Sequence, residues 1–225
     1  MRALVRKDLR EHTLPLLYYM AVTAAFPWVL VVIDRGRPSS ALLSTSFVMV
    51  VISPIMITHW LLNTEKTKRT LFLLRTLPVS AHHIVGAKQV VALIMLISIG
   101  VTSVTSSLTV LHILGGLEAN APNPVVMAWV FIGVVLFTQS MLLSFLRFDQ
   151  RLAIQVPYGG LLLLVLAYSA LRNYRPNLFA AFMAMAGRWD VIVAGYLTAC
   201  LIILCLHLIM VRLFERTDWS RPTAE

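Results

Sequence analysis

Apolar residues in this chain come in blocks rather than in alternation. Leu14–Ile33, Ala41–Leu62, Val90–Leu114, Val125–Leu146, Leu152–Leu171 and Val191–Val211 are runs without a single Asp, Glu, Lys or Arg. Each holds about 20 residues or more, which as a helix rising about 1.5 Å per residue covers a hydrocarbon core of roughly 30 Å. The pattern predicts an all-α integral membrane protein: one transmembrane domain over residues 1–225, with spans at 14–33, 41–62, 90–114, 125–146, 152–171 and 191–211. Composition agrees, at 59% hydrophobic and 13% charged residues, where soluble domains carry about 25% charged.

The polar remainder sets the expected topology. Arg2, Arg6, Lys7 and Arg10 precede the first run; Lys66, Lys68, Arg69, Arg75 and Lys88 lie between the second and third. Arg147 and Arg151 join the fourth to the fifth, and Arg212, Arg216 and Arg221 follow the sixth. The opposite side holds only Arg35, Arg37, Arg172, Arg175 and Arg188. Basic residues concentrate on the cytoplasmic side of short membrane loops, so both termini are expected in the cytoplasm. The same distribution accounts for the net charge of +9 without nucleic acid, for which the polar stretches are too short to build a domain.

Residues 1–13 read as a short amphipathic cytoplasmic helix with Leu4, Val5 and Leu9 on one face, turning into the membrane near Pro15. Basic residues serving only as a topology signal would give the same pattern. The stretch 172–190 is expected as an outer loop. Within it, 179–186 is apolar but too short to cross, so it is either a re-entrant segment or an extension of a neighbouring span. Pro157, followed by Tyr158-Gly159-Gly160, predicts a bend in the fifth span. Cys200 and Cys205 stand about 140° apart on a helix and are read as packing residues, not a disulfide or metal pair.

Several chemistries lack their residues. None of the six histidines belongs to a His-Glu-x-x-His metal motif. His59, His112 and His207 fall near span ends, where an imidazole can reach headgroups. Ser140 has no glycine-rich turn, and no Gly-x-x-x-x-Gly-Lys-Ser/Thr phosphate loop occurs. No Asp, Glu, Lys or Arg lies inside a run, which disfavours an ion-coupled secondary transporter or channel. Thr102, Thr105 and Thr109 share a face of the third span; with Gln139 they are candidate pathway-lining residues, and small hydroxyl residues are also ordinary helix-packing contacts.

The most informative polar stretch is 63–80. Residues Thr64–Leu77 suit a short helix with Leu71, Leu74 and Leu77 on one side and Lys66, Lys68, Arg69 and Arg75 on the other. Pro78 ends it, and Ser80 is placed to cap a new helix running through Lys88 into the third span, with His83 at the third helical position. Glu65, Thr70, Leu73-Leu74, Thr76-Leu77-Pro78-Val79-Ser80 and Ile84-Val85-Gly86-Ala87-Lys88 together resemble the membrane subunits of ABC-2 type ABC transporters. The resemblance implies a type V, exporter-like transmembrane domain in which 63–80 is a coupling helix. Glu65, Lys66, Lys68, Arg69, Thr70, Leu73, Leu74, Leu77, Pro78, Ser80 and Lys88 would then form the ATPase-coupling element. It further implies a multi-pass permease of a bacterial cytoplasmic (inner) membrane, non-catalytic itself and without a bound cofactor. ATP would be bound by separate ATP-binding cassette subunits, with a second permease copy or a related subunit and membrane lipids as further partners. Export of a peptide, lipid or drug is the expected activity, a haem-export permease the lesser alternative, and a structural or assembly role the remaining one. Ala81 stands where relatives often carry Arg or Lys.

Overall fold

A computed structural model describes residues 1–33, 52–63, 78–114, 124–148 and 150–216. All regular structure among them is helical: α1 (Arg2–Ile33), α2 (52–63, closing in a π-helical turn at His59–Asn63), α3 (Ala81–Ile113), α4 (Pro124–Arg147), α5 (Gln150–Tyr174), α6 (Pro176–Ala186) and α7 (Trp189–Arg216). Four described helices are long and apolar enough to cross a membrane: Arg2–Val32, Ala81–Ile113, Val125–Arg147 and Trp189–Arg216. The start of the second expected span lies outside the described residues. The fifth is helical throughout, with a described apolar stretch at Leu152–Leu163.

The chain divides into two compact units, Met1–Asn123 and Pro124–Glu225. In the first, α3 packs along α1, and α2 also meets α1. The face of α3 used for this is a helical stripe that includes Ile84, Lys88, Val91, Met95, Ile99, Ser103, Ser107 and Val110, all buried. Steps of three and four residues keep these positions on one side of the helix. Toward the far end of the pair, Val110 and Leu111 pack against Leu30, Val31 and Leu114. Tyr19 meets Trp60 edge to face, with ring centroids 6.1 Å apart.

The turn expected near Pro15 does not occur. α1 is one helix of 32 residues with Pro15 and Pro27 inside it. Proline forfeits one backbone hydrogen bond, which a membrane-type helix tolerates when neighbouring side chains and helices hold it straight. Here the first turns are held by burial: Asp8, His12, Tyr19, Thr23 and Pro27 line the covered side of α1. Leu4, Val5 and Leu9, expected as the apolar face, are only half-buried.

In the second unit α4 packs against both α5 and α7. Phe137 and Tyr158 make an edge-to-face contact, with centroids 5.2 Å apart and planes at 88°. α5 runs through Pro157 as a single helix. The segment 179–186 extends neither neighbouring span. It belongs to a separate 11-residue helix, α6, bounded by Arg175 and Gly187. Cys200 and Cys205 are free and exposed on α7, so neither packs inside the chain.

Candidate functional site

Of the expected coupling residues, Glu65, Lys66, Lys68, Arg69, Thr70, Leu73, Leu74 and Leu77 lie outside the described residues; Pro78, Ser80 and Lys88 lie within them. Ser80 occupies the N-cap position of α3 with an extended backbone, φ −65° and ψ 148°. Its carbonyl accepts the first helical hydrogen bonds, from the backbone N–H of His83 at 3.0 Å and of Ile84 at 3.3 Å. Its hydroxyl does not bond a free backbone N–H, the usual capping arrangement. It pairs instead with His83 Nδ1 at 2.8 Å, a side-chain contact that makes neither of the two backbone bonds of a capping box.

Two turns further on, Lys88 enters the interior. Its ammonium lies 2.8 Å from Asp8 Oδ2, and the side chains are only 7% and 2% exposed. Lys7 sits 3.8 Å from the other Asp8 oxygen and 3.7 Å from Glu11, at the exposed edge of the same cluster. His12, one turn along α1, is also buried, and its Nε2 has no hydrogen-bond partner among the described residues. Burial first, and the nearby Lys88 ammonium second, hold the His12 imidazole below the ordinary histidine pKa. His12 precedes the apolar run that begins at Leu14, so this cluster sits at one end of the α1–α3 pair, next to the chain that leads in from 63–80.

A buried ion pair of this geometry is a rigid tie. Separating the partners leaves a charge in a low-dielectric interior, which costs several kcal/mol. Sequence reasoning marked Lys88 and missed Asp8. Its one available signal was an acid set among the basic residues of a segment read as topogenic.

The candidate pathway residues are placed separately. Thr102, Thr105 and Thr109 donate their hydroxyls to carbonyls on their own helix, to Ser98 at 2.8 Å, Val101 at 2.7 Å and Thr105 at 2.8 Å. Thr105 and Thr109 are exposed. Serines rather than threonines serve the helix contact: Ser103 and Ser107 are buried, and Ser106 Oγ donates across to the Ala24 carbonyl of α1 at 2.6 Å. Gln139, on α4, is fully buried.

A constructed contact also links three helices of the second unit. Trp129 of α4 donates its indole N–H to the Ala186 carbonyl at the end of α6, at 3.0 Å. Its ring lies over Gly195 of α7, where a Cβ would stand 2.6 Å from a ring carbon. Only glycine allows that approach. Arg188, in the turn between α6 and α7, and Asp190, in the first turn of α7, form a two-point ion pair at 3.1 and 2.8 Å. Among the described residues, no group of three or more His, Cys, Asp or Glu side chains is arranged to hold a metal.

No curated protein and no solved structure matches the chain. The sequence profile of the family described as ABC-2 family transporter protein matches residues 9–154. That match covers well over half of the chain and takes in α1 beyond Asp8, the segment 63–80, the whole of α3 with Lys88, and α4. The apolar helices, the capped entry into α3 and this match together establish that the chain is a multi-pass membrane protein belonging to the ABC-2 transporter family.

Proposed function

We propose that the chain is the permease half of an ATP-driven exporter, with six spans and both termini in the cytoplasm of a bacterial inner membrane. It has no catalytic site or cofactor of its own and pairs with a second permease copy or a related subunit. Hydrolysis takes place on separate ATP-binding cassette subunits, which dock on the basic segment Thr64–Leu77. The family match across residues 9–154 carries this reading, because it spans that segment and the helix that follows it. The buried Asp8–Lys88 pair supports it: a push on the segment reaches α3 at Ser80 and is shared with α1 through that tie. The runs free of charged residues suit an amphipathic cargo, a peptide, lipid or drug.

Affinity purification of the intact chain from its own membranes tests the reading. An ATP-binding subunit should co-purify with the full chain and be lost when Thr64–Leu77 is deleted. Lys68→Glu with Arg69→Glu should lower ATP-dependent transport in reconstituted vesicles far more than it lowers insertion. Transport that persists without any ATPase would instead make the chain a secondary transporter or channel.

A further inference from the structure

The helix α6 is apolar, and none of its residues is buried. Leu178, Phe182, Met183 and Met185 are all large and exposed. It is also bracketed almost symmetrically. Tyr174 and Arg175 precede it; Arg188 and Trp189 follow its closing turn. Tyr174 is 82% exposed and Trp189 71%, and both arginines are exposed as well. Tyrosine and tryptophan beside arginine are the residues of the membrane–water boundary, where rings lie at headgroup depth and guanidinium groups reach phosphates. An apolar helix of about 16 Å between two such pairs suits the junction of headgroups and acyl chains.

Beneath α6 is a groove of about 430 Å³, within the range of about 300–1,000 Å³ usual for ligand sites. Val126, Trp129 and Val130 of α4, Phe182 and Met185 of α6 and Val191 of α7 line it. The one polar atom on these side chains, Trp129 Nε1, already donates to Ala186, so the walls offer an occupant only apolar surface. The Trp129–Gly195 approach and the Trp129–Ala186 bond fix the floor against the roof, so the groove is part of the fold rather than a gap left by loose packing.

We propose that this groove is a phospholipid site: one acyl chain lies between α4, α6 and α7, and the lipid phosphate is held by Arg188, which follows the end of α6 that lines the groove. Charge favours a phosphate, since Arg172, Arg175 and Arg188 outnumber Asp190, the one acidic residue of 171–190, and the Arg188–Asp190 pair is itself exposed. The site is independent of ATP-driven export and is read without a transport assay.

The test is fluorescence quenching in lipid nanodiscs made with phosphatidylcholine brominated on its acyl chains. A variant keeping Trp129 alone, with Trp28, Trp60, Trp189 and Trp219 changed to Phe, should be strongly quenched, although Trp129 is half-buried and tied to Ala186. Adding Val126→Phe, at a position 43% exposed and tolerant of the change, should fill the groove and remove most of that quenching. Brominated diacylglycerol with the same chains should quench Trp129 less than the phospholipid does, and Arg188→Gln should erase that difference. A Trp28-only variant, 45% exposed on α1, reports the ordinary lipid surface. If Trp28 is quenched and Trp129 is not, the groove is filled by protein, such as a second copy, and the proposal fails. Quenching of Trp129 that Val126→Phe leaves intact overturns it equally. Equal quenching by the two brominated guests overturns the phosphate contact.

Discussion

The two units hold their helices together by different balances of polar and aromatic contact. Between α1 and α3 the covered surface is rich in polar atoms: Asp8, His12, Thr23, Lys88, Ser103 and Ser107 are all buried. In the second unit the distinctive ties are aromatic. Trp129 lies over Gly195, Phe137 meets Tyr158, and the indole N–H reaches Ala186. In lipid there is little hydrophobic drive between helices, so association depends on close packing and on polar contacts. Charge ties resist separation over a short range and fail when one partner goes. Aromatic packing depends on shape and fails when a neighbour grows. The first suits the role we propose for α1 and α3, to take up a push from 63–80; the second suits a scaffold that holds α6 in place.

That contrast is most easily broken at Lys88. Lys88→Met leaves the buried Asp8 carboxylate only the more distant, half-exposed Lys7 and should cost up to about 3–5 kcal/mol. The double variant Asp8→Leu with Lys88→Met should recover most of that loss, because replacing a whole buried pair by apolar groups is often close to neutral. Unfolding of the purified chain by SDS titration, followed by helix content, measures both. If the single and double variants are equally destabilised, the pair is not what joins α1 to α3.

The second unit should respond to volume rather than charge. Gly195→Ala places a methyl group 2.6 Å from the Trp129 ring, and overpacking of a fixed neighbour costs about 1–3 kcal/mol. The indole would shift, stretching its bond to Ala186, so a change in Trp129 emission should accompany the loss. Trp129→Leu in the Gly195→Ala background should restore part of the stability by making room. A variant as stable as the wild type, with unchanged emission, would show that the ring is not confined.

A gentler probe of the polar unit is pH. The folded chain disfavours protonated His12, through burial and then through Lys88, whereas the unfolded chain takes up that proton near pH 6.5. The unfolded state therefore binds more protons in acid, and stability should fall as pH drops below about 6.5, with no His12 contribution above it. His12→Gln should flatten that part of the profile relative to the wild type. An unchanged slope would mean that other groups set it.

Much of this was legible in the sequence, and the parts that were not share a cause. The apolar runs and the Pro78-Val79-Ser80 stretch are local signals, and they marked four long apolar helices, the entry of α3 at Ser80 and the family. Continuity of α1 through Pro15 was not legible, because it depends on the partner helix covering Asp8 and His12. Asp8 and Lys88 stand eighty residues apart, and nothing in either neighbourhood names the other. The independence of α6 was half-visible: its length ruled out a span, but the breaks at Arg175 and Gly187 are backbone facts. The hydroxyl-rich face of the third span shows the limit most clearly, since periodicity grouped Thr102, Thr105 and Thr109 while the contact with α1 is made by the serines beside them.

Those hydroxyls give the smallest and most discriminating prediction. Ser106 and Thr105 are neighbours in sequence and both donate hydrogen bonds, but to different elements. Ser106 reaches the Ala24 carbonyl across the helix pair; Thr105 turns back on Val101 in its own helix. A hydroxyl that bonds its own helix returns little to tertiary stability, because the same bond forms in the isolated helix within a membrane. One that crosses between helices is worth about 0.6 kcal/mol on average in such proteins. Ser106→Ala should therefore lower the SDS midpoint slightly, and Thr105→Val should leave it where it is. The same pair separates packing from passage: if Thr105→Val leaves stability untouched yet alters transport by the assembled complex, the threonine face lines the pathway. Indifference in both measurements would assign that face to lipid contact and remove Thr102, Thr105 and Thr109 from the pathway.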